Sequence, residues 1–245
     1  MITKNQIKFI KSLSAKQVRN ESQMFVAEGD KLIEELVNSD ILTIEAVYKT
    51  TQSKLKTQAQ IIEPELLARM SQLKSPPESL AIVQIPRIEN TDAPQDKLSL
   101  VLDEVQDPGN LGTIIRIADW YGIENIFCSP NSADCYNPKV IQSTMGAIGR
   151  VKVHYTDIAE LLRKYSGKIW GTMLSEKATI LYNTTERLNE GLLVMGNEGR
   201  GISAEVAKML TQEIYIPNYG SNEHVESLNV AVATAITVAE IRRRG

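Results

Sequence analysis

Short apolar runs separated by longer polar stretches give this chain its first legible pattern. Runs at about residues 23–27, 43–48, 59–62 and 79–85 read as strands, and they alternate with helices expected near 3–19, 29–38 and 64–72. Such alternation predicts a compact α/β layer structure. Ser75-Pro76-Pro77 marks the turn into the last of these strands, because proline biases its predecessor toward extended backbone. A second set of runs lies near 98–103, 124–129, 151–153, 168–173, 191–195 and 212–216, again spaced by helix-length segments. That spacing predicts a largely parallel sheet with right-handed crossovers. Between the two sets, around residues 86–97, Pro86, Asn90, Thr91, Asp92, Ala93, Pro94, Gln95 and Asp96 interrupt the apolar pattern. The expected organisation is a first domain at 1–90, a linker at 91–97 and a second domain at 98–245.

Composition narrows the class. A globular chain of 245 residues buries roughly 70–75% of its unfolded surface and needs no disulfide. Cys128 and Cys135 lack paired metal-ligand spacing, and with only His154 and His224 beside them no zinc constellation is expected. Both cysteines read as reduced thiols of a cytoplasmic protein. The charge-free apolar stretch Leu228–Ala239 is too short to span a bilayer, and the first residues do not resemble a secretory signal. The net charge of −3 argues against indiscriminate nucleic-acid binding, so any phosphate affinity must come from local patches. One such patch is the acid-free beginning of the chain, with Lys4, Lys8, Lys11, Lys16 and Arg19. A transit peptide would share that composition, but the pattern continues unbroken into Met24-Phe25-Val26-Ala27-Glu28-Gly29, as folded domain does. Lys4, Lys8 and Lys11 share one helical face, joined by Lys16 and Arg19, either merely solvated or tracking phosphates.

The chemistry concentrates where apolar runs stop abruptly in glycines and small polar residues. Met195-Gly196-Asn197-Glu198-Gly199-Arg200-Gly201 follows a late strand, and Ile216-Pro217 and Ser227-Leu228-Asn229-Val230 come after it. Upstream, Leu98–Leu102 leads through Asp103-Glu104-Val105-Gln106-Asp107-Pro108-Gly109-Asn110-Leu111-Gly112 into a helix carrying Arg116. That loop is not the Gly-x-Gly-x-x-Gly of a dinucleotide-binding fold. An isolated glycine cluster is often only a tight turn, although missing β-carbons also let backbone approach a ligand. An isolated arginine is usually a solvated ion-pair partner.

Taken together, Asn110 with Arg116, then Asn197-Glu198-Gly199, then Ser227-Leu228-Asn229 resemble, in order and approximate spacing, the three motifs of the SpoU (TrmH-like) family of RNA ribose 2′-O-methyltransferases, of the SPOUT class. The resemblance covers about residues 98–244. It implies an α/β fold whose largely parallel sheet ends in a C-terminal trefoil knot, preceded here by a small L30e-like RNA-binding domain. It also implies S-adenosylmethionine as methyl donor, a homodimer, and structured RNA as substrate, ribosomal RNA ahead of transfer RNA. Thr172, Met173, Leu174, Gly196, Ile216, Pro217 and Leu228 are then expected to hold the donor, in a cleft whose loop 218–226 runs longer than the compact family pattern. Arg116, Asn110, Glu198, Ser227 and Asn229 are expected at the catalytic centre, with Arg200 a second RNA contact at its mouth. Asn110 is expected to orient Arg116 or the target nucleotide, or to cap a helix beginning at Leu111. Glu198 is expected to hold Arg116 or a partner-chain residue, and Ser227 to cap the final helix. The competing readings are a noncatalytic RNA-binding module of the same fold and an α/β enzyme acting on a small molecule.

Overall fold

The computed structural model describes residues 2–88, 92–185, 189–220 and 227–244. They form two compact units, Met1–Arg87 with Asp134–Arg150, and Ile88–Ala133 with Val151–Gly245. Along the chain come α1 (Lys4–Ser12), α2 (Lys16–Ser22), β1 (Met24–Glu28), α3 (Asp30–Val37), β2 (Thr43–Lys49), β3 (Gln60–Ile61), α4 (Pro64–Met70) and β4 (Ser79–Gln84). Then follow β5 (Leu98–Leu102), α5 (Pro108–Trp120), β6 (Asn125–Cys128), α6 (Pro138–Thr144), β7 (Lys152–Tyr155), α7 (Ile158–Lys164) and β8 (Ile169–Thr172). The chain closes with β9 (Thr179–Ile180), β10 (Gly191–Met195), α8 (Ala204–Ala207), β11 (Gln212–Tyr215) and α9 (Val230–Arg244).

In the first unit, β4 runs antiparallel between β1 and β2, and β3 adds a parallel edge. Ile7, Ile10 and Leu13 pack with Leu67, Met70 and Leu80 in its core. The single helix expected over 3–19 is broken at Leu13–Ala15. Thr3 and Gln6 form a capping box that starts α1. Arg19 then folds back beneath the break: it is 2% exposed and donates to the carbonyls of Leu13 and Ser14 and to Asp134. This corrects the expectation that Arg19 contacts RNA, because its guanidinium is spent on buried oxygens. Lys11 likewise turns its ammonium onto the Ser71 carbonyl. Lys4, Lys8 and Lys16 remain exposed.

Residues 134–150 complete this unit, although composition alone suggests one continuous boundary near the linker. Tyr136 meets Phe25 with ring centroids 5.0 Å apart, and Gln142 donates to the Glu28 carbonyl at 3.0 Å. Gly146, at φ +96°, lies so close to α3 that a β-carbon there would stand 2.5 Å from that of Glu35.

The second unit holds a seven-stranded sheet, order β7-β6-β5-β10-β8-β11-β9, parallel in every pairing among the described residues. Every residue of β5 and β10 is buried, the mark of strands covered on both faces. β9 is too short to show as a run in the sequence. The three arginines ending α9 do more than complement its negative end. Arg242 donates to the Tyr121 carbonyl that closes α5, while Arg244 donates to Leu181, Tyr182 and Thr184. No helix among the described residues is long and apolar enough to cross a membrane, and none of their His, Cys, Asp and Glu side chains cluster as a metal site.

His154 lies within this sheet, 4% exposed and stacked 4.6 Å from Phe127, its Nε2 3.0 Å from Asn125 Oδ1. Burial, reinforced by the charge of Lys152, pushes its pKa down from 6.5 to about 4. Between those values the unfolded chain binds a proton that the folded chain refuses, so stability falls as pH drops from 6.5 toward 4. His154→Phe keeps the ring stack and is expected to abolish up to about 3 kcal/mol of that acid-side loss. Urea unfolding of both proteins at neutral and acid pH checks this.

Candidate active site

Parallel register brings the carboxyl ends of four strands to one edge of the second sheet. Met195 pairs with Leu102, Val194 with Gly171, and Thr172 with Ile214. The chain crosses between them by short bonds, Asp103 N–H to Met195 O at 2.9 Å and Met173 N–H to Ile214 O at 3.0 Å. Thr172 Oγ1 lies 3.5 Å from Met195 Sδ. Thr172, Met173, Ile216 and Pro217 are half-buried here, while Leu174 and Leu228 are 72% and 47% exposed. Gly196 is buried at the tip of β10.

The turn after β10 is built by Asn197. Its backbone pairs with Gly201 in both directions at 2.9 Å, and its Oδ1 accepts from the N–H groups of Gly199 and Arg200. The glycines serve this turn in different ways. A β-carbon on Gly196 would stand 2.2 Å from the Gly201 carbonyl carbon, and Gly201 sits at φ +68°. The nearest atom to one on Gly199 would be Asn197 Oδ1 at 3.7 Å, ordinary contact. At Gly196, therefore, the space for a side chain is taken by the loop's own backbone.

This turn presents Glu198 to the helix after β5. Asn110 Nδ2 donates to Glu198 Oε1 at 2.8 Å, and Asn229 Nδ2 donates to Asn110 Oδ1 at 2.9 Å. One amide thereby links the three loops on which the sequence motifs lie. α5 begins at Pro108 under an Asp107 cap that accepts from Asn110 N–H, so Asn110 is not the cap of a helix starting at Leu111. Nor does it orient Arg116. Six residues farther along a helix, a side chain points about 120° away, and both ends of the Asn110 amide are engaged. Arg116 projects to solvent from α5 and makes no hydrogen bond or ion pair among the described residues. Glu198 accordingly holds Asn110 rather than Arg116.

Asn229, not Ser227, caps α9, its Oδ1 accepting from Ala231 and Val232 N–H at 3.0 and 3.3 Å. The helix starts at Val230, which leaves Ser227 exposed two residues upstream of the cap. Residues 221–226 of the longer loop, including His224, lie outside the described residues; before them Asn218 Oδ1 accepts from Gly220 N–H at 2.8 Å.

Two residues not singled out from the sequence complete the edge. Asp103 is buried and accepts from Ser203 N–H at 2.8 Å. Glu104 accepts from Asn131 and Arg200. Only the position of Asp103 and Glu104 at a strand's carboxyl end marks them in the sequence.

Gly196→Ala is expected to cost at least about 2 kcal/mol of stability, because backbone must move to admit the methyl group, while Gly199→Ala changes stability by less than about 0.5 kcal/mol. Equilibrium urea unfolding of the two variants tests the difference.

Comparison with known proteins finds relatives that align over nearly the whole chain. Residues 97–239 match the SpoU rRNA Methylase family, and residues 4–81 match the MRM3-like substrate binding domain. The chain is 32% identical over 248 residues to the 23S rRNA (guanosine(2553)-2′-O)-methyltransferase RlmP of Bacillus subtilis, with 98% of this chain and 97% of the relative covered. A TrmH-family structure from Porphyromonas gingivalis superposes with a TM-score of 0.85 at 37% identity, covering 100% of both chains. The AdoMet-bound rRNA methyltransferase of Sinorhizobium meliloti gives a TM-score of 0.85 at 25% identity, covering 100% of this chain and 96% of that one. With its second unit matched nearly end to end and its three motif loops joined through Asn110, the chain belongs to the SpoU rRNA Methylase family.

Proposed function

We propose that this chain transfers a methyl group from S-adenosylmethionine to a ribose 2′-hydroxyl of ribosomal RNA. The observation that carries the reading is the Glu198–Asn110–Asn229 chain of hydrogen bonds, which joins all three motif loops beside the helix that displays Arg116. The Bacillus subtilis relative, aligned over almost the whole chain, bears the name of a guanosine 2′-O-methyltransferase of 23S rRNA, and the Sinorhizobium meliloti relative binds AdoMet. Both favour ribosomal over transfer RNA.

The residues at the strand ends fit such a donor. Met173, Ile216 and Pro217 give half-buried apolar walls, and Leu174 and Leu228 expose apolar surface that an adenosine would cover. When bound, the donor supplies an electrophilic methyl on a sulfonium, so the protein's task is chiefly alignment and electrostatics. Arg116 is always charged and carries only donors, which suits it to binding an RNA phosphate and polarising the 2′-hydroxyl rather than to accepting a proton. The hydroxyl proton leaves to a phosphate oxygen or to water. Asn110, Glu198 and Asn229 hold the loops at a fixed separation, Ser227 meets the reacting groups at the start of α9, and Arg200 adds a phosphate contact. In the first unit, Lys4, Lys8 and Lys16 offer exposed charge to the RNA backbone.

The reading includes a homodimer and a cytoplasmic location, where ribosomal RNA is assembled. Arg116 and Trp120 are one turn apart on the outward stripe of α5. Trp120 is 83% exposed, and Val232, on the α9 helix that packs against α5, is 49% exposed. A second copy would bury that apolar surface next to the reaction centre.

Two measurements test the reading. Arg116→Ala is expected to lower methyl transfer to unmodified ribosomal RNA at least about 100-fold while donor affinity, read by calorimetry, stays within about twofold. Unchanged turnover would remove Arg116 from the chemistry, and donor binding with no transfer by the unaltered protein would favour the noncatalytic module. Trp120→Glu is expected to shift the protein from dimer to monomer in sedimentation velocity; a monomeric unaltered protein would refute the dimer.

A further inference from the structure

Glu104 is placed unlike any other side chain at this edge. It directly follows the buried Asp103 after β5 and adopts φ +60°, a left-handed conformation that a residue with a β-carbon adopts only when its surroundings compel it. Here each of its polar groups is engaged. Its N–H donates to Ser129 Oγ at 2.9 Å, and its carbonyl accepts from Asn197 Nδ2 at 2.8 Å. One carboxylate oxygen accepts from Asn131 Nδ2 at 3.0 Å, and the other from Arg200 Nη2 at 2.5 Å. A single residue thus ties the loop after β6 and the turn after β10 to the end of β5.

The pair with Arg200 is asymmetric. The Glu104 side chain is 27% exposed and that of Arg200 is 69% exposed. Among the described residues one guanidinium nitrogen of Arg200 is committed, and the side chain is exposed enough for the rest of the planar fork to take a phosphate. The Asn197 amide that reaches back to Glu104 also sets the turn carrying Glu198.

Resting on the RNA methyl-transfer reading above, we propose that Glu104 is a positioning residue for substrate: it fixes Arg200 at the mouth of the site in the orientation that receives an RNA phosphate. An unrestrained arginine at this exposed position would lose its side-chain freedom on binding RNA; tethered by Glu104, it has already lost it.

Simple charge arithmetic makes the opposite forecast, which gives a clean test. Removing a carboxylate from a surface that meets RNA lowers repulsion, so a carboxylate with no positioning role should yield tighter binding when neutralised. If Glu104 positions Arg200, Glu104→Gln instead raises KM for an unmodified 23S ribosomal RNA transcript at least about fivefold, with kcat and donor affinity within about twofold. Glu104→Gly, which relieves the left-handed backbone and removes the side chain, should show the same RNA defect without a fall in unfolding temperature. In an Arg200→Ala background, Glu104→Gln should cost nothing further, because its effect runs through Arg200. Equal or tighter RNA binding by Glu104→Gln overturns the proposal, as does an undiminished loss in the Arg200→Ala background. Parallel loss of donor affinity in both Glu104 variants also overturns it, marking the residue as scaffold. RNA affinity read by fluorescence anisotropy gives these outcomes independently of turnover, so failure of the unaltered protein to methylate would count against the enzymatic reading and not against Glu104.

Discussion

Parallel strand register is the constraint on which the rest of this molecule depends. Because β5, β8, β10 and β11 run in one direction and pair end to end, the segments leaving them emerge at one edge of the sheet. Polar groups can then bridge between loops that are far apart in the chain. Asn110 and Asn229 are 119 residues apart, yet their amides meet at 2.9 Å. A shift of one register step in β10 would turn its side chains to the other face and carry Asn197 and Glu198 away from the loop after β5.

Satisfied polar networks make that edge rigid. The turn after β10 closes on itself through Asn197, is steric at Gly196, and is anchored to β5 through Glu104 and Asp103. Networks of this kind are held by several bonds at once, so no single loop can move without leaving a neighbour unpaired. Arg116 and Ser227, among the residues carried over from the motifs, stand outside this network. Arg116 projects to solvent from α5 without a partner among the described residues.

The first unit shows how the same physics redirects charge. Of five basic residues at the start of the chain, Arg19 is drawn inward by two carbonyls and Asp134, and Lys11 is drawn onto Ser71. A buried guanidinium must be paired, and once paired it is no longer available to RNA. The first twenty residues cannot reveal this, because the pairing carboxylate comes from Asp134, 115 positions along the chain.

What the amino-acid sequence determined by itself is local or periodic. Apolar runs located nearly every strand, the proline-rich break near residue 90 separated two patterns, and the motif order identified the family, because each of these depends on neighbours along the chain. β9 was too short to register, and the helix break at Leu13–Ala15 depended on where Arg19 folds back. Tertiary structure alone decided that Asn229 rather than Ser227 caps α9, that Asn110 bridges Glu198 and Asn229 instead of orienting Arg116, and that Glu104 sits left-handed among four partners. It also decided that residues 134–150 complete the first unit. These outcomes share one physical cause: hydrogen bonds and close packing act over about 3 Å in space, whatever the separation in sequence, so they exist only once the sheet has brought distant residues together.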